Sequence, residues 1–183
     1  MTTPSISDLA HTADIIVDQA AIKTAIDRIA DRIAADYHGD SPVLLTVMQG
    51  ALPFAGTLVL ALGARQQDVL LDYIHATRYQ GEMIGGKVAW LHKPHTALHG
   101  KRVLLVDDIL DEGHTLHSIR EWCLAQDAAE VRVAVLAVKE HKRCIPGIRA
   151  DYHCITVPDR YVFGFGMDVN DRLRSLPAIY ALR

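Results

Sequence analysis

The sequence predicts an α/β fold built on a mainly parallel sheet. Short apolar segments typical of buried strands alternate with longer segments in which apolar residues recur at helical spacing. Strands and helices that alternate in this way pack as a parallel sheet covered by helices. With 183 residues, the chain is long enough for one domain with a full core. We therefore expect residues 1–183 to form a single domain.

Three helices are predicted. From Gln19 to Tyr37 the apolar residues form one stripe, which consists of Ile22, Ala25, Ile26, Ile29, Ile33 and Ala34. Pro53 suits the first turn of a second helix over Phe54 to Leu62. A third helix is expected from Thr115 to Ala125.

The predicted strands are apolar segments between and after these helices. They are Val43 to Met48, Val69 to Ile74, Val88 to Leu91, Lys101 to Val106, Val131 to Val138 and Tyr152 to Val157. The polar, glycine-containing segment from Thr77 to Gly86 predicts a mobile loop, and a polar turn is expected from Asp107 to His114. The aromatic-rich tail from Pro158 to Arg183 has no regular pattern, so we expect it to be irregular.

Composition argues against several classes of protein. No apolar stretch approaches the length that spans a bilayer, and we expect no signal peptide at the N-terminus. The net charge of −3 gives no reason to expect binding to nucleic acid. The three cysteines, Cys123, Cys144 and Cys154, are odd in number and widely spaced, which fits structural thiols in the reducing cytoplasm.

The segment from Val103 to Leu116, VLLVDDILDEGHTL, carries the chemistry. It indicates a buried strand, an acidic turn and the start of a helix. Ligands of open α/β sheets bind at the carboxyl ends of the strands, and backbone N–H groups beside a helix N-terminus favour a phosphate. Gly113 lets the backbone approach a ligand closely, and Thr115 offers a hydroxyl group.

The adjacent carboxylates of Asp107 and Asp108 lie at the edge of this turn. Because neighbouring carboxylates repel each other, they need solvent, hydroxyl donors or a cation. A sugar diol and Mg²⁺ would supply the last two, and Asp111, further into the turn, could accept a proton. A solvated acidic turn is the simpler interpretation of an isolated Asp-Asp pair, but the complete string favours a ligand site.

The string resembles the phosphoribosyl-pyrophosphate signature of type I phosphoribosyltransferases, and other segments resemble their hypoxanthine/guanine branch. Leu45 to Phe54 is similar to the pyrophosphate loop, Thr77 to Tyr79 to the start of the mobile lid, Val138, Lys139 and Arg143 to the base-recognition strand end, and Val157 to Arg174 to the purine-binding hood. The resemblance implies a twisted, mainly parallel sheet flanked by helices. The core would cover roughly residues 38–157, and the N-terminal segment and residues 158–183 would form a small hood.

The resemblance also implies a site for phosphoribosyl pyrophosphate. Asp107 and Asp108 would hold the ribose hydroxyls and hydrated Mg²⁺. The 5′-phosphate would be bound by the turn residues Asp111, Glu112, Gly113, His114 and Thr115. Gln49 and Gly50, after a Met48–Gln49 peptide that aligns with a cis peptide in the family, would bind pyrophosphate together with Arg174. Arg78 and Tyr79 would belong to the lid.

For the purine, the resemblance implies that Asp111 is the catalytic base at N7 and that Lys139 donates to O6. An ammonium group has donors only, so it suits a carbonyl better than the amine of adenine. Tyr161 would stack on the base, and the backbone carbonyls of Val162 and Asp168 would accept from N1–H and the 2-amino group. The carboxylate of Asp168 would reach a second Mg²⁺. The implied partners are phosphoribosyl pyrophosphate and a 6-oxopurine, and the implied assembly is a homodimer or homotetramer.

The sequence departs from the family pattern near the phosphates. The unusual residues are Gln49 in place of Lys, Pro53, His75 in place of Arg, Arg78 in place of Ser, and His114 in place of Lys. His75 and His114 suggest the hypothesis that substrate binding weakens as rising pH deprotonates imidazole. A Michaelis constant for phosphoribosyl pyrophosphate that is the same at mildly acidic and mildly basic pH would refute it.

Other interpretations stay open at this stage. A regulatory RNA-binding protein on the same fold is disfavoured by the low net charge, and a receiver domain by the position of the acidic pair past the middle of the chain. A xanthine-preferring enzyme is the nearest alternative. The histidines His92, His95 and His99 are separated by Pro94, so we do not expect them to form a metal site.

Overall fold

A computed structural model describes Asp8 and residues 12–78 and 88–183, apart from the side chains of Thr77, Arg78 and Val88. Within these residues the chain forms two sheets and three long helices. The fold class is α/β, as predicted. In the described part of the chain, the helices are too short or too polar for a membrane-spanning segment.

The larger sheet has six strands in the order β4–β3–β2–β5–β6–β7. Their bounds are β2 Val43–Met48, β3 Leu70–Arg78, β4 Val88–His92, β5 Arg102–Leu110, β6 Glu130–Lys139 and β7 Tyr152–Val157. Every neighbouring pair is parallel except β3 and β4. The carboxyl ends of β2, β5 and β6 therefore meet at one edge of the sheet, where ligands of such folds bind.

Helices cover both faces of this sheet. Helix α1 (Gln19–Asp36) is capped at its N-terminus by Asp18, whose carboxylate accepts a 2.8 Å hydrogen bond from the N–H of Ala21, and helix α2 spans Leu52–Gly63. Both pack with Leu44 and Leu104 in one apolar cluster. Helix α3 (His114–Ala125) packs on the opposite face. Alternate residues of each strand pack against opposite faces of the sheet, which is why the central strands β2, β5 and β6 are apolar along most of their length.

The terminal segments form a second, antiparallel sheet in the order β1–β9–β8, with β1 Ala13–Val17, β8 Val162–Phe163 and β9 Ile179–Leu182. Phe163 stacks on Tyr180 with ring centroids 5.6 Å apart. The small sheet has its own apolar cluster, which consists of Ala13, Phe163, Val169, Leu173 and Leu176. We call β1 and the residues from Pro158 onward the hood.

Three predictions about secondary structure were wrong. The tail is not irregular throughout, because β8 and β9 pair with each other and β9 also pairs with the distant β1; strands this short show no periodicity. Asp107 and Asp108 lie within β5 rather than in a turn, since β5 stays paired with β6 as far as Leu110. Strand β3 likewise continues to Arg78, into the predicted loop, because β4 pairs with it there.

Candidate active site

A cavity of about 290 Å³ opens at the carboxyl ends of β2 and β5. Three segments form its walls: the end of β2 with the loop that follows it, the end of β5 with the turn into α3, and Arg174 of the hood. The predicted phosphate and pyrophosphate residues all line it, namely Gln49, Gly50, Asp107, Asp108, Asp111, Glu112, Gly113, His114, Thr115 and Arg174.

The acidic pair lies deep in this cavity. Asp107 is buried, and its carboxylate accepts a 2.9 Å hydrogen bond from the backbone N–H of Asp108. Burial, followed by the charge of Asp108, raises the pKa of Asp107 well above its ordinary value. Burial also raises the pKa of Asp108, although the N–H of Ile109 and the positive charge of Arg174 act to lower it. The protein alone thus stabilises the ionised forms of the two carboxylates poorly, and a bound cation would stabilise them.

The turn from Asp111 to Thr115 leads directly into α3. Gly113 is the N-cap residue and has a φ of 84°, a left-handed conformation that favours glycine. A Cβ atom there would lie 2.5 Å from a methyl carbon of Ile148, so the turn is also packed tightly from behind. The carbonyl of Glu112 accepts a 2.9 Å hydrogen bond from the N–H of Ile145. The turn is therefore pre-shaped, with the helix N-terminus facing the cavity.

Asp111 connects this turn to the end of β6. Its Oδ2 accepts a 2.7 Å hydrogen bond from Nζ of Lys139, and its Oδ1 lies 2.5 Å from Nε2 of His141. Burial acts to raise the pKa of Asp111, but the hydrogen bonds from Lys139 and His141 outweigh it and lower this pKa. At neutral pH, Asp111 is consequently an ionised carboxylate that is already hydrogen-bonded.

The loop after β2 packs closely against both the acidic pair and the hood. The Met48–Gln49 peptide is cis, as the resemblance implied. A Cβ atom on Gly50 would lie 1.9 Å from Oδ2 of Asp108, and one on Gly166 would lie 1.9 Å from the carbonyl oxygen of Gly50. Gly166, with a φ of 105° and backbone against it, therefore has no room for a side chain, whereas a side chain at Gly50 would displace the Asp108 carboxylate.

Arg174 links the hood to the cavity. It forms a 2.8 Å ion pair with Asp168 and donates a 2.8 Å hydrogen bond to the carbonyl of Gly166. Its Nε is buried and has no hydrogen-bond partner within the described residues. A buried guanidinium donor at the cavity wall suits an anionic ligand.

The predicted purine residues lie on the hood side. Tyr161 is about half exposed, and its hydroxyl donates a 3.1 Å hydrogen bond to the carbonyl of Asp168. Val162 is buried in β8 and pairs with Ala181. Lys139, the fourth predicted purine residue, does not belong to the hood and is hydrogen-bonded to Asp111. Of the predicted lid residues, Tyr79 and the side chain of Arg78 lie outside the described residues.

His141 was missed by the sequence analysis. It lies just past the end of β6, in a tight turn in which its backbone N–H donates a 3.1 Å hydrogen bond to the carbonyl of Lys139. Its nearness in sequence to Lys139 was the one signal that could have pointed to it. The contact itself depends on the turn after β5, which cannot be seen in the sequence around His141.

The residues fit a hydrated divalent cation rather than a protein-caged metal. No group of three or more potential metal-binding side chains converges among the described residues. The carboxylates of the buried Asp107 and the half-buried Asp108 are nevertheless adjacent, and oxygen donors of this kind suit Mg²⁺ that keeps most of its water or substrate ligands. His92, His95 and His99 contact three different partners, Tyr73, Asp72 and Asp127, and do not converge.

Comparisons with known proteins agree with this geometry. The sequence profile of the phosphoribosyl transferase domain family matches residues 12–172. A hypoxanthine-guanine phosphoribosyltransferase of Streptococcus pneumoniae is 31% identical over 92% of both chains, and one of Streptococcus agalactiae is 32% identical over 83% of both.

Solved structures are similar over nearly the whole chain. A hypoxanthine phosphoribosyl transferase of Trypanosoma cruzi is 30% identical, with a TM-score of 0.88 and coverage of 94% of this chain and 93% of that one. A hypoxanthine-guanine phosphoribosyltransferase of Bacillus anthracis is 27% identical, with a TM-score of 0.83 and coverage of 93% and 98%. The profile, the curated relatives and the solved structures agree: this chain belongs to the phosphoribosyltransferase family and groups there with the hypoxanthine-guanine enzymes.

Proposed function

We propose that this protein transfers the 5-phosphoribosyl group from phosphoribosyl pyrophosphate to N9 of hypoxanthine or guanine, giving IMP or GMP and pyrophosphate in purine salvage. The observation that carries the proposal is the contact between Asp111 and Lys139. It joins the phosphate turn to a donor suited to a purine carbonyl. The relatives named above support the choice of substrates.

The cavity supplies the phosphoribosyl half of the site. The turn from Asp111 to Thr115 and the N-terminus of α3 would bind the 5′-phosphate through backbone N–H groups and the Thr115 hydroxyl. Gln49, Gly50 and Arg174 would bind the pyrophosphate. The Nε of Arg174 supports this role because it is a buried donor at the cavity wall with no hydrogen-bond partner in the described part of the chain.

Asp107 and Asp108 would hold the ribose hydroxyls and hydrated Mg²⁺, and the carboxylate of Asp168 would reach a second ion. When bound, Mg²⁺ supplies charge neutralisation for the leaving pyrophosphate. The raised pKa values of Asp107 and Asp108 support this assignment, since a cation would favour their ionised forms.

On the purine side, Lys139 would move from Asp111 to the purine O6 and select 6-oxopurines over adenine. Tyr161 would stack on the base, with the backbone carbonyls of Val162 and Asp168 accepting from N1–H and the 2-amino group. The exposed ring of Tyr161 beside Asp168 supports this arrangement. The lid, with Arg78 and Tyr79, would close over the site and exclude water.

The departure of Lys139 would free Oδ2 of Asp111. As the bond between N9 and C1′ forms, that oxygen would accept the N7 proton, and the electron pair of the N7–H bond would stay in the imidazole ring. The lowered pKa of Asp111 keeps it ionised and ready for this step near neutral pH.

A substrate panel tests the proposal. The purified protein is incubated with phosphoribosyl pyrophosphate, Mg²⁺ and each of hypoxanthine, guanine, xanthine and adenine, and nucleotide formation is followed by absorbance. We expect turnover of hypoxanthine and guanine and a large loss in Asp111→Asn. Turnover of adenine would refute the purine assignment, whereas a protein that binds phosphoribosyl pyrophosphate and converts no base would favour a regulatory role.

We further propose a homodimer or homotetramer in the cytoplasm. Leu71, Tyr73 and Leu91 are exposed apolar side chains on the neighbouring strands β3 and β4, which supports burial against another subunit. The unpaired cysteines are compatible with a reducing compartment. Sedimentation equilibrium tests the assembly, and a monomer at micromolar concentration would contradict it.

A further inference from the structure

The ring of His141 is fixed on both sides. Its side chain is 4% exposed, and its Nδ1 lies 3.0 Å from the backbone nitrogen of Arg143. A backbone N–H can only donate, so Nδ1 accepts and carries no proton. The proton of the neutral imidazole is therefore on Nε2, which donates to Oδ1 of Asp111.

The loop that carries His141 is itself anchored at two points. The guanidinium of Arg143 donates two hydrogen bonds to the carboxylate of Asp159, at 2.8 and 2.7 Å. The N–H of Ile145 donates to the carbonyl of Glu112 in the phosphate turn. His141 is thus held by the same loop that braces the turn containing Asp111.

The two donors to Asp111 differ in rigidity. Lys139 reaches Oδ2 through a flexible four-carbon chain, whereas the nearly buried ring of His141 reaches Oδ1 from an anchored loop. When a purine draws Lys139 away, Asp111 would keep one hydrogen bond, the one from His141. That bond leaves the carboxylate only one oxygen with which to accept a proton.

We infer that His141 is a positioning residue that holds Oδ1 of Asp111 so that Oδ2 faces the purine N7. The inference rests on the proposed function, because it assigns a role in that reaction. In the step it supports, the N7–H bond breaks, an O–H bond forms on Oδ2, and the electron pair stays in the ring. The proton leaves to solvent after product release, since the side chain of Asp111 is 37% exposed.

The charged environment determines the sign of the pH effect. The ionisable side chains around His141 and Asp111 include two carboxylates, two basic groups and a thiol: Glu112, Asp159, Lys139, Arg143 and Cys144. The hydrogen bond from His141 favours the ionised form of Asp111. Its loss raises the pKa of Asp111, so the acid limb of the pH profile of kcat moves to higher pH.

Two variants separate orientation of Asp111 from anchoring of the loop. His141→Asn keeps an acceptor near Nδ1 for the N–H of Arg143 but loses the donor at Nε2. His141→Gln places an amide donor near Nε2. His153→Asn, at an exposed position in β7, is the matched control. For each variant we would measure the thermal midpoint, kcat, the Michaelis constants for guanine and phosphoribosyl pyrophosphate, and the pH profile of kcat.

We expect His141→Asn to lower kcat roughly ten- to hundredfold, the range of one hydrogen bond to a charged group. Its acid limb should move to higher pH, with little change in the Michaelis constant for phosphoribosyl pyrophosphate. His141→Gln should recover part of the rate. An unchanged kcat in His141→Asn would overturn the inference, as would a loss of kcat and thermal midpoint with the acid limb in place. Inactivity of the unsubstituted protein toward every base would instead overturn the proposed function.

Discussion

Gly50 offers a direct test of the close contact between the pyrophosphate loop and the acidic pair. In Gly50→Ala the new Cβ atom would lie 1.9 Å from Oδ2 and 2.6 Å from Cγ of Asp108, well inside the 3.0 Å that real Cβ atoms keep. The φ angle of Gly50 is not left-handed, so the backbone accepts alanine. The carboxylate must therefore move by about 1 Å, a displacement that costs roughly 100-fold in turnover at a catalytic site.

Stability should change much less than activity. The atoms that the new Cβ would overlap are at the end of a side chain that can rotate, so we expect the free energy of unfolding to fall by no more than about 3 kcal/mol. The matched control is Gly56→Ala, because Gly56 is an exposed residue of α2 with open space around it. The control should keep full activity and gain about 0.5–1 kcal/mol of stability from the better helix former.

The assay is steady-state nucleotide formation with saturating guanine and varied phosphoribosyl pyrophosphate, together with urea unfolding of each variant. A fall of about 100-fold in kcat/KM for Gly50→Ala, with the protein still folded, would support the reasoning. Activity equal to that of Gly56→Ala would refute it, since Asp108 could then move without consequence.

Three further predictions follow from the site. Lys139→Gln should raise the Michaelis constant for guanine by roughly 10- to 100-fold while leaving that for phosphoribosyl pyrophosphate nearly unchanged, as initial rates would show. Asp107→Asn should abolish activity but stabilise the ligand-free protein at neutral pH, because a carboxyl whose folded pKa is raised loses stability as pH rises through that value. Urea unfolding should show this gain shrinking toward about pH 4, and its absence at neutral pH would contradict the burial argument. In the folded protein, a thiol reagent at mildly basic pH should modify Cys144 first, because burial raises the pKa of Cys123 and of Cys154 to about 12; equal rates at all three would contradict it.

Much of the core could be predicted from local patterns. The stripe from Ile22 to Ile33 predicted α1 to within one residue, and the apolar run from Val43 to Met48 matches β2. Periodicity works here because helices need one apolar face and central strands are buried on both. Where pairing with a distant segment decides the structure, as for β8 and β9 in the hood, no local period existed to find.

In the site, too, features formed by contiguous residues could be predicted, and features formed by distant residues could not. The acidic pair and the phosphate turn are contiguous in sequence, so their chemistry could be predicted from a single segment. The packing of Gly166 on Gly50 and of His141 on Asp111 joins residues far apart in the chain. Such contacts depend on how the hood and the loop after β6 close over the sheet, which no spacing in the sequence specifies.

The most direct test of the central claim is a competition. The protein is given an equimolar mixture of hypoxanthine, guanine, xanthine and adenine with Mg²⁺ and limiting phosphoribosyl pyrophosphate, and the nucleotides formed are identified by mass spectrometry. We predict that IMP and GMP make up nearly all of the product, and that Lys139→Gln loses this preference. A product that is mainly AMP or XMP from the unsubstituted protein would contradict the claim.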